Sequence, residues 1–406
     1  MVWLGPRVGS AMRGAGWLLP LGFAFAALLG YSVGSAFAHD NGDGKNEESF
    51  GLASTLSVPA PANNTACPST GATSTGLASF DISFVDSELG LYFLADRTHC
   101  SVDIWNTETN ALVAQVNGFA GITGTNFDEA GPNGVLTVVT PTVKQAWVGN
   151  YPSEVEIIDL TTNAVIKTIS TGGTKRADEM AYDPKDGIVV VANDADSPPF
   201  LSFISTTAPY PILGTITFST ATNGLEQSAW SPRTGLFYLS VPELGGVLDS
   251  GVIAVIDPTT RTIIKSYPTG CEPAGLALGP EKFAYVGCSD KSTEQINLAS
   301  GHIMKVFPQF NSTDEVWFNP EDGHYFGAAG NNVVNNVSTP VLGIIDGQTR
   351  KFDQVISTVK GDHSVAADSD NGHVYLPSVA KPANDSSCTL GCVEVLAADH
   401  KEHGKE

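Results

Sequence analysis

Residues 177–184 read ADEMAYDP, a short apolar segment entered through the acidic pair Asp178-Glu179 and left through Asp-Pro. Variants recur down the chain as FDISFVD (80–86), PNGVLTV (132–138), LEQSAWSP (225–232), PAGLALGP (273–280), TDEVWFNP (313–320) and DHSVAAD (362–368). Aligned on their entry, the seven copies put Asp81, Asn133, Asp178, Glu226, Ala274, Asp314 and His363 at one position, polar everywhere except Ala274. Successive entries lie 52, 45, 48, 48, 40 and 49 residues apart. A period of about 40–50 residues marks one supersecondary unit stacked repeatedly on itself.

The fifth unit shows the grammar of the repeat. PAGLALGP is a buried first strand, FAYVG (283–287) a second, EQINL (294–298) a third and IMKVFP (303–308) a fourth. Equivalent second strands are LYFLA (91–95), GIVVVA (187–192) and LFYLSV (236–241), and equivalent third strands are SVDIWN (101–106), VIAVID (252–257) and VLGIID (341–346). Four-stranded sheets repeated seven times cannot bury their faces singly; set radially, they pack sheet on sheet and leave only short edges. The expected fold is therefore all-β, a seven-bladed β-propeller of four-stranded antiparallel blades. The last unit offers only three strands before the charged tail DHKEHGKE, so residues 50–58, FGLASTLSV, are expected to supply the fourth and close the ring.

Composition agrees. Charged residues are 16% of the 406, while 42 Gly and 24 Pro suit short strands and many turns. Asp and Glu number 43 against 21 Lys and Arg, a surface that repels phosphate backbones, so no nucleic-acid partner is expected. Arg7 and Arg13 precede the apolar run WLLPLGFAFAALLGYSV, which is followed by Ala36-Phe37-Ala38. That layout reads as a secretory signal peptide over residues 1–38, with an uncleaved anchor as its rival. Residues 39–49 read as a disordered acidic segment, 50–398 as the propeller and 399–406 as a charged tail. The mature chain is expected to be secreted or periplasmic, off the membrane and monomeric.

Six cysteines in an exported chain can pair. Cys271 enters an inner strand and Cys288 leaves its hairpin partner; Cys388 and Cys392 close a tight loop; Cys67 is left for Cys100. No CxxCH haem motif, phosphate-binding glycine loop, nucleophile elbow or metalloprotease helix is present.

The P-x-G entry, apolar run, Asp- or Ser-Pro turn and a strand such as FAYVG resemble the YVTN-type repeat of exported propellers often described as YncE-like, over roughly residues 77–397. The resemblance implies the propeller fold and export. Relatives on such propellers include lactonases, a cofactor-free lyase, redox proteins and plain binding scaffolds, so it implies no single activity.

In a propeller the position ahead of each inner strand faces the mouth of a central channel. Asp81, Asp178, Glu226 and Asp314 are thus expected near one axis, beside Asn133 and His363. Crowded carboxylates repel one another, which raises some pKa values unless a cation neutralises them. The sharp reading is a divalent ion held by a subset of these six. Oxygen donors suit Ca²⁺, Mg²⁺ or Mn²⁺, with Zn²⁺ admitted if His363 takes part. The bland reading is a hydrated channel whose polar groups bond neighbouring loops.

With an ion in place, hydrolysis of a lactone or ester becomes feasible, His363 or Glu179 moving the proton. Without one, the mouth is a non-catalytic site for a small molecule or a protein; an accessory of periplasmic redox enzymes is a third reading, resting on the resemblance. The loops after the second strands open on the same face and bring Arg97, His99 and Tyr151 as candidate substrate contacts, with Asp194 nearby. For Arg97 the plainer alternative is a salt bridge. The glycine-rich stretch 117–131 is long enough to cover the mouth as a lid or to be a passive insertion.

Overall fold

The computed structural model describes residues 49–61, 66–280, 282–379 and 388–399. Seven four-stranded antiparallel sheets follow one another in chain order. Six are built from consecutive stretches; blade 3, for instance, runs Met180–Asp183, Ile188–Asn193, Phe200–Ser205 and Ile212–Thr217 from the inside outward. Blade 6 differs only in carrying a small hairpin, Val333–Val334 with Val337–Ser338, between its second and third strands.

Each blade's second and third strands are covered on both faces by neighbours, which is why they are written as near-continuous apolar runs. Ile188–Asn193, IVVVAN, is buried throughout. Between blades 3 and 4, Val190, Leu201, Phe203, Phe237, Leu239 and Ile256 form one continuous cluster, a short unbroken apolar run being the mark of a strand buried on both sides. Outer strands are half-exposed: Thr262–Pro268 shows every side chain but Tyr267 to solvent.

Blade 7 contains Ala366–Ala367, Val374–Ser378 and Cys392–Asp399, and its outermost strand is Ser49–Ser57 from the other end of the chain. The pairing runs from Ser49 opposite Asp399 to Ser57 opposite Cys392. This strand also grips both neighbouring blades. Phe50 packs with Phe326, Leu342 and Ile344 of blade 6, while Leu56 and Val58 pack with Val85 and Tyr92 of blade 1. Gln354 completes the hold, its amide bonding both the N–H and the carbonyl of Phe50 at 2.9 Å. The closed ring read from the repeat count is the fold observed.

The disulfides are Cys67–Cys100, Cys271–Cys288 and Cys388–Cys392, with Cα separations of 5.8, 5.9 and 5.3 Å. The expected leader (1–38), most of the acidic segment (39–49) and residues 400–406 of the tail lie outside the described residues.

Candidate functional site

The same backbone geometry sets the entry residue of five blades. The N–H groups of Asp81, Asn133, Asp178, Glu226 and Asp314 donate to the carbonyls of Ala95, Gly149, Ala192, Ser240 and Ala328, at 2.9, 2.9, 2.8, 3.0 and 2.9 Å. Each acceptor belongs to the second strand of the same blade, so five side chains leave equivalent points around the axis. Beside them Gly134 has no room for a side chain, because a Cβ there would collide with the carbonyl oxygen of Asp178 in the next blade.

Two guanidinium groups occupy the mouth. Arg97, 2% exposed, ion-pairs with Asp81 and reaches Asn133 Oδ1 at 3.2 Å from Nε and 2.6 Å from a terminal nitrogen. Asn133 passes the link on by donating to the Ala177 carbonyl at 2.8 Å. Arg176, from the loop leading into blade 3, meets Asp178 and Asp194 at 2.7 Å each and Asp81 at 3.9 Å. Burial alone would lift the Asp81 carboxyl; the Arg97 guanidinium, with His363 and Arg176, holds it well below the usual carboxylate range.

His363 lies parallel to the Phe80 ring at 4.6 Å. Its Nδ1 is 2.7 Å from the Gly361 carbonyl and its Nε2 is 3.4 Å from Asp81 Oδ1. Both neighbours are acceptors, so the ring is held with both nitrogens protonated. Burial opposes that charge, but Asp81 and Asp314 keep the imidazole above its ordinary value.

Glu226 and Asp314 form no ion pair with a basic side chain among the described residues. Burial, reinforced for Glu226 by Asp314, Asp194 and Asp178, raises the pKa of both. One residue further along the inner strands, Glu179 and Glu315 meet in a hydrogen bond. Two carboxyls can do so only by sharing a proton. They belong to blades 3 and 6, nearly opposite in a ring of seven, so the pair spans the axis. Burial lifts Glu179 to about 7. Gln227, at the same level, bonds the backbone of Leu276 and Val316 and ties blades 4, 5 and 6.

Of the expected substrate contacts, Arg97 is spent within the ring. His99 is fully buried, its Nδ1 on Asp96 and its Nε2 2.7 Å from the Ser74 carbonyl, fastening the N-terminal segment to blade 1 beside the Cys67–Cys100 bridge. Tyr151 is half-buried after Asn150, within electrostatic reach of Lys175. The 117–131 stretch lies over the mouth's edge: Phe127 stacks on the Arg97 guanidinium at 5.7 Å, the Asp128 backbone carbonyl accepts from the Arg176 backbone N–H, and Glu129 pairs with Lys175.

Two other groups of side chains have donor atoms close enough for a divalent ion: Cys271, Cys288 and Glu294, and Asp96, His99 and Asp103. In the first, both sulfurs are joined to each other and hold no thiolate. The second has suitable donors once His99 and Asp103 give up protons; burial and the neighbouring Asp96 push Asp103 well above its ordinary value.

Sequence reasoning found the ring but missed Arg176, although it stands two residues ahead of Asp178 in an acid-rich chain. Glu315 and Gln227 were legible too, in the column that follows the entry position. Comparison with models of known protein families finds none that matches the chain, and comparison with curated proteins finds no match.

Proposed function

We propose that this chain is an exported, non-catalytic binding propeller that admits a cation to its axial channel. The observation that carries the reading is the charge arrangement of the mouth. Arg97 and Arg176 are consumed by Asp81, Asn133, Asp178 and Asp194, while Glu226 and Asp314 remain part-exposed above the Glu179–Glu315 pair and form no ion pair with a basic side chain among the described residues, Asp314 feeling His363 at longer range. Carboxyls that burial raises and no ion pair neutralises either take protons or draw in a cation.

A divalent metal is one such cation. Glu226 and Asp314 would be its protein ligands, and oxygen donors of that kind suit Ca²⁺, Mg²⁺ or Mn²⁺. Zn²⁺ through His363 is disfavoured, because both ring nitrogens face acceptors. The same fact weighs against a lactone or ester hydrolase using His363 as its base. Kinship with the YVTN-type propellers and export rest on the repeat grammar and the N-terminal apolar run, and both belong to this proposal.

The test is elemental analysis and thermal melts of the purified protein before and after chelation, followed by Ca²⁺ titration of the wild type and of a Glu226→Gln/Asp314→Asn variant. Binding abolished in a variant that keeps its circular dichroism supports the reading. Equal binding by the variant would sink it, as would ester or lactone turnover that disappears in a folded His363→Ala protein.

A further inference from the structure

Below the Glu179–Glu315 pair lies a cavity of about 260 Å³ lined by residues from all seven blades. Its two ends differ in chemistry. Glu179, Gln227 and Glu315 line the upper end. Two to three residues further along their strands, Phe84, Trp230, Trp317 and Phe318 supply half-buried aromatic walls. Phe84 and Trp317 meet edge to face at 5.4 Å although blade 7 lies between their blades. The small inner residues of that blade, Ala366 and Ala367, leave them the room. At about 3.3 Å per residue, the aromatic girdle stands roughly 7–10 Å from the carboxyls.

Polar capacity in the cavity is unspent. Ser228 lines it, is more than nine-tenths buried, and its hydroxyl meets no partner among the described residues. The indole N–H of Trp230, another lining residue, is likewise unpartnered. Buried polar atoms ordinarily have partners, so each of these has a hydrogen bond to offer an occupant of the cavity.

We infer that this cavity is the seat of a small organic ammonium ion, its nitrogen against the Glu179 and Glu315 carboxyls and its apolar body among the four aromatic rings. The inference rests on the reading of the channel as a cation site and names the ligand class. A metal ion would have to shed its water against apolar walls, whereas an ammonium donates N–H groups to the carboxyls and its charge is attracted by aromatic faces. Ser228 can accept a further N–H, and the Trp230 N–H suits a hydroxyl or carbonyl oxygen on the ligand. The volume sets the size. A cavity of about 150 Å³ holds benzene, so this one has space for a single ring with a two-carbon amine arm.

Isothermal titration of the full chain with 2-phenylethylammonium chloride, 2-phenylethanol and CaCl₂ tests it. The expected result is that the ammonium binds at least tenfold tighter than the alcohol, and that a folded Glu179→Gln/Glu315→Gln variant loses at least tenfold in ammonium affinity. Trp230→Leu should weaken the ammonium as well, which keeps the test open if the double variant misfolds. Equal affinity for the alcohol overturns the inference, and so does undiminished ammonium binding by the folded variants. Calcium binding without ammonium binding overturns the organic ligand and leaves the cation channel standing; binding of neither overturns both.

Discussion

Replacing Arg97 with methionine keeps most of the side chain's bulk and removes the cation that Asp81 and Asn133 share. Arg97 is 2% exposed, and among the described residues His363 at 3.4 Å and Arg176 at 3.9 Å remain as the positive neighbours of Asp81. Breaking a buried pair by deleting one partner costs roughly 3–5 kcal/mol, since the other charge stays behind without its partner. For about 350 ordered residues the entropy of unfolding is about 0.7 kcal/mol/K, so the melting temperature should drop by about 4–7 °C at pH 7. The loss should also depend on pH. Asp81 is depressed in the folded protein, so its contribution is present above the unfolded value of about 4 and is lost as pH falls through the folded value. The gap between wild type and Arg97→Met is therefore full at pH 7 and narrows below about pH 4. Calorimetric melts across pH 3–8, with Asp81→Asn and the double variant completing a cycle, measure this directly. A cost under ~1 kcal/mol, or one that is the same at pH 3.5 and 7, would refute the assignment of Arg97 as the ring's internal counter-ion.

Other outcomes follow from the same structure. Glu179 is raised to about 7, so between about pH 4.5 and 7 the unfolded chain holds fewer protons than the folded one and stability falls as pH rises; Glu179→Gln should flatten that decline, read as melting temperature against pH. Gly134→Ala drives a Cβ into the Asp178 carbonyl and should cost about 1–3 kcal/mol by urea denaturation; a neutral result would mean that the two blades can separate at no cost. Cys271→Ser/Cys288→Ser opens a loop whose ends are 17 residues apart and should cost about 2–4 kcal/mol, matched by the effect of dithiothreitol on the same bridge. Deleting residues 49–57 removes the buried Phe50 and Leu56, each worth about 1.5–3 kcal/mol, and should lower the melting temperature by several degrees; unchanged melting would contradict the closure.

The fold was legible because one position, polar in six of the seven copies, heads the inner strands, and a backbone hydrogen bond repeated in five blades makes that position structurally equivalent. Strand pairs such as Leu91–Asp96 with Ser101–Asn106 also follow the short, largely apolar runs of their sequences, buried almost throughout. The disulfides were legible because hairpin geometry brings Cys271 to Cys288. What escaped was contact between positions far apart in sequence. Nothing local announces that Arg176 turns back to Asp81, or that Glu179 reaches across the axis to Glu315. His99 looked like a mouth residue because it follows a second strand, yet its partner, the Ser74 carbonyl, comes from a loop without pattern. The aromatic girdle went unread for a related reason: Trp230 and Trp317 occupy positions that an apolar inner strand would fill in any case, and only the axis they share gives them a common role.

The strand Ser49–Ser57 carries a further consequence for how the molecule is assembled. Its partner, Cys392–Asp399, lies more than 330 residues downstream, so the first strand of the propeller to be synthesised is among the last to find its place. Until then the blades form an open arc with an apolar flank bare at each end, and closing so long a loop is slow. The latch thus doubles as a completeness check: a chain truncated before residue 392 can fold blades but cannot shut the circle, and its exposed flanks mark it for aggregation or proteolysis.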